Sequence, residues 1–137
     1  MQPLLLDTCA VIWINEDEPI KPEAVALMNT AYAQGVTTFV SAITAWEVGL
    51  LTSRERLRLL VTPEKWFSKI LDLPGAALAP LSPEILIASS YLPGKPPRDP
   101  ADRIVAATAR DLGATLITRD SALLTYGKQG HVNVIAC

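Results

Sequence analysis

The sequence predicts an α/β fold with a mainly parallel central sheet. Short apolar or β-branched runs alternate along the chain with stretches of helical length. The helical stretches open on Pro, Ser, Thr or Asp and two close on Gly, as helix ends favour. With 137 residues, half of them apolar, the chain suits one domain over residues 1–137 with its own core.

Leu4 to Leu6 reads as a buried strand ending at Asp7, and Thr8 to Asn15 as a helix closed before the acidic, solvated run Glu16-Asp17-Glu18. Pro22 to Gln34 is a helix stopped by Gly35. Thr37 to Val40 is β-branched and aromatic, hence a strand, and Ser41 caps a helix to about Ser53. A basic stretch with Arg54, Arg56 and Arg58 follows. Pro63 then opens a helix with Trp66, Phe67 and Ile70 on one face. Ala76 to Leu81 is a strand, and Ser82 caps a helix to about Leu92. Pro93 to Arg98 is a surface loop. Pro100 to Leu112 is a helix closed by Gly113, and Ala114 to Thr118 and Val132 to Ala136 are strands. Asp120 is read as a turn residue between them. Parallel strands with right-handed crossovers gather their C-terminal ends on one edge, where open α/β sheets bind ligands.

Composition removes several kinds of chemistry. The single histidine, His131, excludes a multi-histidine zinc site and any mechanism needing two imidazoles. A net charge of −2 disfavours binding nucleic acid through a generally basic surface. The first residues lack the basic and apolar regions of a signal peptide. No run approaches about 18 apolar residues. A reducing, cytoplasmic setting without membrane attachment is therefore expected, with Cys9 and Cys137 free and Cys9 a small core residue.

Carboxylates remain as working groups. Asp7 and Asp120 each follow a strand. Asp99 and Asp102 open a helix as N-cap and N3 around Pro100. Glu47 falls on the helical face of Ile43, Trp46 and Leu50, where a carboxylate is costly unless paired or bound to metal. Each has a plainer role: caps and turns for the aspartates, an ion pair with Arg54 for Glu47. Their convergence on one sheet edge is what points to function. Crowded carboxylates are driven up in pKa without a cation. Oxygen donors without histidine or thiolate suit Mg²⁺ or Mn²⁺, and such a site suits phosphate-ester hydrolysis. Thr8 and Ser41 would add hydroxyls near that edge or cap helices.

These residues fall in four segments: Leu5-Leu6-Asp7-Thr8, Ser41 to Glu47, Asp99-Pro100-Ala101-Asp102-Arg103 on to Ala109, and Leu116 to Asp120. In that order and spacing the chain resembles a PIN-domain ribonuclease, specifically the VapC-type toxin of a bacterial type II toxin–antitoxin (VapBC) pair. The resemblance implies a PIN-like three-layer α/β/α sandwich. It carries the family's metal-site acids onto Asp7, Glu47, Asp102 and Asp120, with Asp99 as an additional acid, and leaves open whether Asp99 or Asp102 binds metal directly. It also implies a Mg²⁺- or Mn²⁺-dependent endoribonuclease leaving a 5′-phosphate and a 3′-hydroxyl on tRNA or rRNA by two-metal-type hydrolysis. A homodimer inhibited by a cognate VapB-type antitoxin is the expected assembly. Many relatives have His before the first acid of the Asp-Pro-x-Asp-Arg motif, where this chain has Arg98.

Within that frame Thr8, Thr118 and Arg119 are expected to support the site: Thr118 positioning a water, Arg119 meeting phosphate or a neighbouring acid. Arg103 is a candidate ion-pair partner, and Arg54, Arg56, Arg58 and Arg98 are candidate contacts to RNA phosphates. Trp13, Trp46 and Trp66 are read as core or interface residues. Other readings fit less well. An aspartyl-phosphate phosphatase needs a second Asp where Cys9 stands, a receiver domain needs adjacent early acids, and a nucleotide-binding fold needs a glycine-rich loop after Leu6. A degenerate, non-catalytic PIN-like RNA- or protein-binding module would have lost acids that are all present. Setting the five acids aside leaves nine against 12 bases, so the rest of the surface is net positive.

Overall fold

A computed structural model describes residues 1–137. Five strands form one sheet, β1 (Leu4–Leu6), β2 (Thr38–Ser41), β3 (Ala76–Ala79), β4 (Thr115–Thr118) and β5 (Asn133–Ala136). All neighbours pair in parallel, in the order β3-β2-β1-β4-β5. The chain moves outward from β1 to β2 and β3, then returns to the other side of β1 for β4 and β5. The sheet therefore has its topological switch point between β1 and β4, the position where a ligand crevice opens beyond the strand ends.

Seven helices join the strands: α1 (Thr8–Asn15), α2 (Pro22–Ala33), α3 (Ala42–Ser53), α4 (Pro63–Leu71), α5 (Pro83–Ala88), α6 (Pro100–Leu112) and α7 (Ser121–Lys128). Two cores result. Leu4 and Leu6 of β1 pack with Val11 of α1, Ala24 and Ala31 of α2, and Trp66 and Ile70 of α4. Leu5 points to the opposite face, with Leu116, Val105 and Ala106 of α6, and Leu123 and Tyr126 of α7. Strand side chains alternate between faces, so three consecutive leucines anchor both layers. α3 reaches both, through Val48 and Ile43. This is the expected α/β/α sandwich.

Caps follow the sequence closely. Ser41, Thr62, Ser82 and Asp99 each accept a hydrogen bond from a first-turn N–H of the following helix. Gly113 ends α6 at φ 60°, in the left-handed region that a side chain resists.

Strand β3 stops at Ala79, short of the expected Leu81, and two helices also differ from expectation. α5 ends at Ala88, not near Leu92. The Ser89 hydroxyl donates to the Leu86 carbonyl, and Ser90 and Tyr91 close the chain with bonds to the carbonyls three residues back. Serines that compete for backbone carbonyls favour such a tight ending. The second is α7, where the sequence reading had only a turn. Asp120 is its N-cap, accepting from the Leu123 N–H at 2.9 Å. The helix is short and carries Gly127, which obscures its pattern. A Cβ there would meet Val134 Cγ2 at 2.6 Å, so the glycine lets α7 lie close on β5. Two adjacent parallel strands cannot be joined without a crossover, and α7 supplies it.

Leu123 is fully buried and Thr125 exposed on α7. Leu123→Ala is expected to cost about 3 kcal/mol of unfolding free energy. Thr125→Ala should stay within about 0.5 kcal/mol. Equal, small effects in denaturant titrations would contradict the packing of α7.

Candidate metal centre

Asp7 is the first residue past β1 and the N-cap of α1, and it is 5% exposed. The pairing of Leu6 with Ile117 brings the next residues, Asp7 and Thr118, side by side across the switch point. Thr118, fully buried, donates its hydroxyl to Asp7 Oδ2 at 2.6 Å. The Thr8 N–H donates to Oδ1 at 2.8 Å, and the Cys9 thiol stands 3.4 Å from Oδ2. Thr118 also accepts the Asp120 N–H at 3.0 Å, so one hydroxyl links the acids that follow β1 and β4.

Glu47 arrives from α3. Its Oε1 accepts the Thr8 hydroxyl at 2.7 Å, and not a bond from Arg54, which is the exposed C-cap of α3. The helical face inferred for Glu47 is also corrected. Trp46 is 58% exposed, and the buried side of α3 is Ile43, Thr44 and Val48. Glu47, four residues after Ile43 and three after Thr44, lies on that buried side, and it is half-buried where the side borders a cleft.

Asp7, Glu47, Asp102 and Asp120 line one cleft of about 460 Å³, with Thr8, Cys9, Trp13 and Arg119. Asp99 stands on the exposed rim, in a neighbouring hollow that it shares with Glu47 and Trp46. Its Oδ1 accepts the Asp102 N–H at 3.0 Å, the helix-cap role read from the sequence.

Burial pushes the Asp7 carboxyl up against the lowering effect of its hydrogen bonds from Thr118, Cys9 and Thr8, with the charge of Asp120 adding to the rise. Burial likewise raises Glu47, opposed by Thr8 and reinforced by Asp7, Asp99 and Asp120. Asp102 is pushed up to about 7 by burial, then by the charges of Asp120, Asp99, Asp7 and Glu47. The acids thus repel one another at the place where the sequence puts them. No three of them close to ligating distance as they stand. The donor set nonetheless fits a hard divalent cation: all oxygen, several charges, no imidazole. Cys9 does not alter this, because burial, then the charge of Asp7, drives its thiol up to about 12 and keeps it protonated. Cys9 lines the cleft, half-buried, instead of filling the core.

The basic residues divide. Arg119 Nε donates to the Cys137 carbonyl at 2.7 Å, and the guanidinium also meets the Pro19 carbonyl. It stacks 3.1 Å above the Trp13 ring. It is thereby fixed as a wall of the cleft. Arg103 is not in an ion pair with an acid; it donates to the carbonyls of Pro97 and Ser89 and holds the loop before Asp99. Tyr126 donates to the Pro93 carbonyl, and Gln129 bonds both the N–H and C=O of Lys95. Sequence reasoning missed these two loop clamps because both lie on or beside α7. Arg54, Arg56, Arg58 and Arg98 are exposed. Ser41 is buried as the α3 cap, away from the cleft lining. Of the other tryptophans, Trp66 is core.

A parallel sheet with acids from β1, α3, α6 and the β4–α7 junction around its switch point defines a PIN domain. Residues 4–129 match the PIN domain family, and the chain belongs to it. It is 28% identical to Ribonuclease VapC22 of Mycobacterium tuberculosis (strain ATCC 25618 / H37Rv) over 98% of this chain and 99% of that protein. The fold is shared with a chain in the structure of FitAB bound to an IR36 DNA fragment, at TM-score 0.65, 24% identity, and coverage of 97% of this chain and 94% of that one. It is also shared with a chain in VapBC2 from Rickettsia felis bound to a promoter DNA fragment, at TM-score 0.66, 15% identity and 98% of both chains. No helix is long and apolar enough to cross a membrane.

A carboxyl raised in the folded state stabilises the fold while protonated, and that stability is lost as pH climbs through its folded value. In EDTA, Tm should therefore fall from about pH 4 to pH 7 and level off above, the Asp102 contribution disappearing around 7. Asp102→Asn should flatten the upper part of the fall. A Tm that is constant or rising over this range would contradict the crowding of the acids.

Proposed function

We propose that this chain is a Mg²⁺- or Mn²⁺-dependent endoribonuclease of the VapC toxin type, acting on tRNA or rRNA and held inactive by a VapB-type antitoxin. The observation that carries the reading is the cleft shared by Asp7, Glu47, Asp102 and Asp120, with three of the four carboxyls raised by burial. The likeness to a VapC ribonuclease over nearly the whole chain supports RNA as substrate. The shared fold with chains of VapBC and FitAB complexes supports the antitoxin and an assembly larger than one chain, for which a homodimer is proposed.

Asp7 and Asp102 are the primary ligands. Glu47, Asp120 and Asp99 complete or orient the set, and one of these three takes the proton of the attacking water. When bound, the cations supply an activated water and stabilisation of the leaving oxygen for in-line displacement. Thr118 keeps Asp7 oriented, and Thr8 keeps Glu47 oriented, both as hydroxyl donors. Arg119 walls the cleft without reaching an acid. Arg54, Arg56, Arg58 and Arg98 lie free to meet phosphates of the flanking RNA.

The purified chain should cleave RNA in Mg²⁺ or Mn²⁺ and leave 5′-phosphate ends. EDTA should abolish this. Asp7→Asn should lower the rate by at least about 100-fold, the upper end of what losing even an outer partner costs a metal site. Cleavage that survives EDTA, or full activity in Asp7→Asn, would refute the mechanism. RNA binding without cleavage in any divalent cation would instead mark a non-catalytic module.

A further inference from the structure

Mid-helix threonines ordinarily turn the hydroxyl back onto a carbonyl one turn earlier. Thr52 does so to Val48 and Gly49, and Thr108 to Ile104. Thr44, fully buried in the first turn of α3 and one turn before Glu47, has no earlier helical turn to bond and does not. Its hydroxyl faces α1 and lies 3.0 Å from that of Thr8. The direction of this contact follows from counting hydrogens. A threonine hydroxyl has one hydrogen and two acceptor positions, whereas an ionised carboxylate only accepts. Thr8 gives its one hydroxyl hydrogen to Glu47 Oε1 at 2.7 Å. The bond between the two threonines therefore takes its hydrogen from Thr44.

Thr8 is in turn the hub of the site. Its N–H holds Asp7 Oδ1 and its hydroxyl holds Glu47 Oε1. The hydrogen of a hydroxyl turns about the Cβ–Oγ bond, and a hydrogen accepted from Thr44 leaves the Thr8 hydrogen directed at Glu47. We propose that Thr44 is a positioning residue: through Thr8 it locks the Glu47 carboxylate against Asp7, joining α3 to α1 so that the two acids present themselves together to a divalent cation. The inference rests on the metal-dependent reading above and adds to it a residue that touches neither cation nor RNA.

The test is Mn²⁺ binding by calorimetry on the full chain, with melting in EDTA as a check of folding. The set is wild type, Thr44→Val, Thr44→Ala and Thr44→Ser. Valine keeps the shape and removes the hydroxyl; serine keeps the hydroxyl and removes a methyl. Thr44→Val and Thr44→Ala are expected to bind Mn²⁺ about 10-fold more weakly, the usual effect of losing an outer hydrogen-bond partner. Thr44→Ser is expected to restore the wild-type affinity. If Thr44→Val does not fold, Thr44→Ala carries the comparison. Wild-type affinity in both hydroxyl-free variants would overturn the proposal. So would a Thr44→Ser as weak as Thr44→Val, since packing and not the hydroxyl would then be at work. Failure of the wild type itself to bind Mn²⁺ would overturn the parent reading and this one together, and is distinguishable because it precedes any substitution.

Discussion

Asp7, Glu47, Asp102 and Asp120 line a single partly buried cleft, and the one basic residue that lines it with them, Arg119, is committed elsewhere. Its guanidinium serves two backbone carbonyls and the face of Trp13. The acids are left with hydrogen-bond donors alone: the hydroxyls of Thr8 and Thr118, the Cys9 thiol and the N–H groups of helix starts. These lower the carboxyl pKa values of Asp7 and Glu47 but do not win against burial. A protein that collects negative charge and withholds its own positive charge is arranged to take that charge from outside. The net charge of −2 is explained in the same way: the acidic excess sits at one edge of the sheet and the remainder of the surface is basic.

The fold produces this crowding through its topology. Strands β1 and β4 meet where the chain reverses its direction of winding, so Asp7 and Thr118 become neighbours although 111 residues separate them. Leu4, Leu5 and Leu6 bury β1 on both faces and give the residue that follows no freedom to move away. Asp7, Asp99 and Asp120 are each a helix N-cap as well. The same carboxylates that start helices line the cleft or its rim, and helix N-termini favour negative charge there. Structural and chemical roles therefore coincide in these residues instead of competing.

That coincidence explains what could be read from the sequence and what could not. Helices α1, α3 and α6 were legible to the residue, because Asp7, Ser41, Asp99-Pro100 and Gly113 mark their ends. The acids after β1 and β4 and at the start of α6 were legible from strand-end and cap positions. Glu47 is legible only in part: Ile43, four residues before it, is buried as the spacing expects, but Trp46 is exposed. An aromatic residue at helical spacing does not reveal which side of the helix the core occupies. α7 was missed because its burial depends on Leu123 and Tyr126 alone, and with it went the clamps on the Pro93–Arg98 loop. The hydroxyl chain from Thr44 to Glu47 was invisible for a deeper reason. It bridges α3 and α1, and no local pattern records which side chains meet across two helices.

The crowded acids call for a cation entering the cleft between Asp7, Glu47, Asp102 and Asp120. A crystal of the protein soaked in Mn²⁺ and measured near the manganese absorption edge tests this directly. An anomalous difference peak within coordination reach of Asp7 and Asp102 is the result predicted. A clean map in the cleft, or manganese bound only elsewhere, in protein that cleaves RNA under the same conditions, would contradict it.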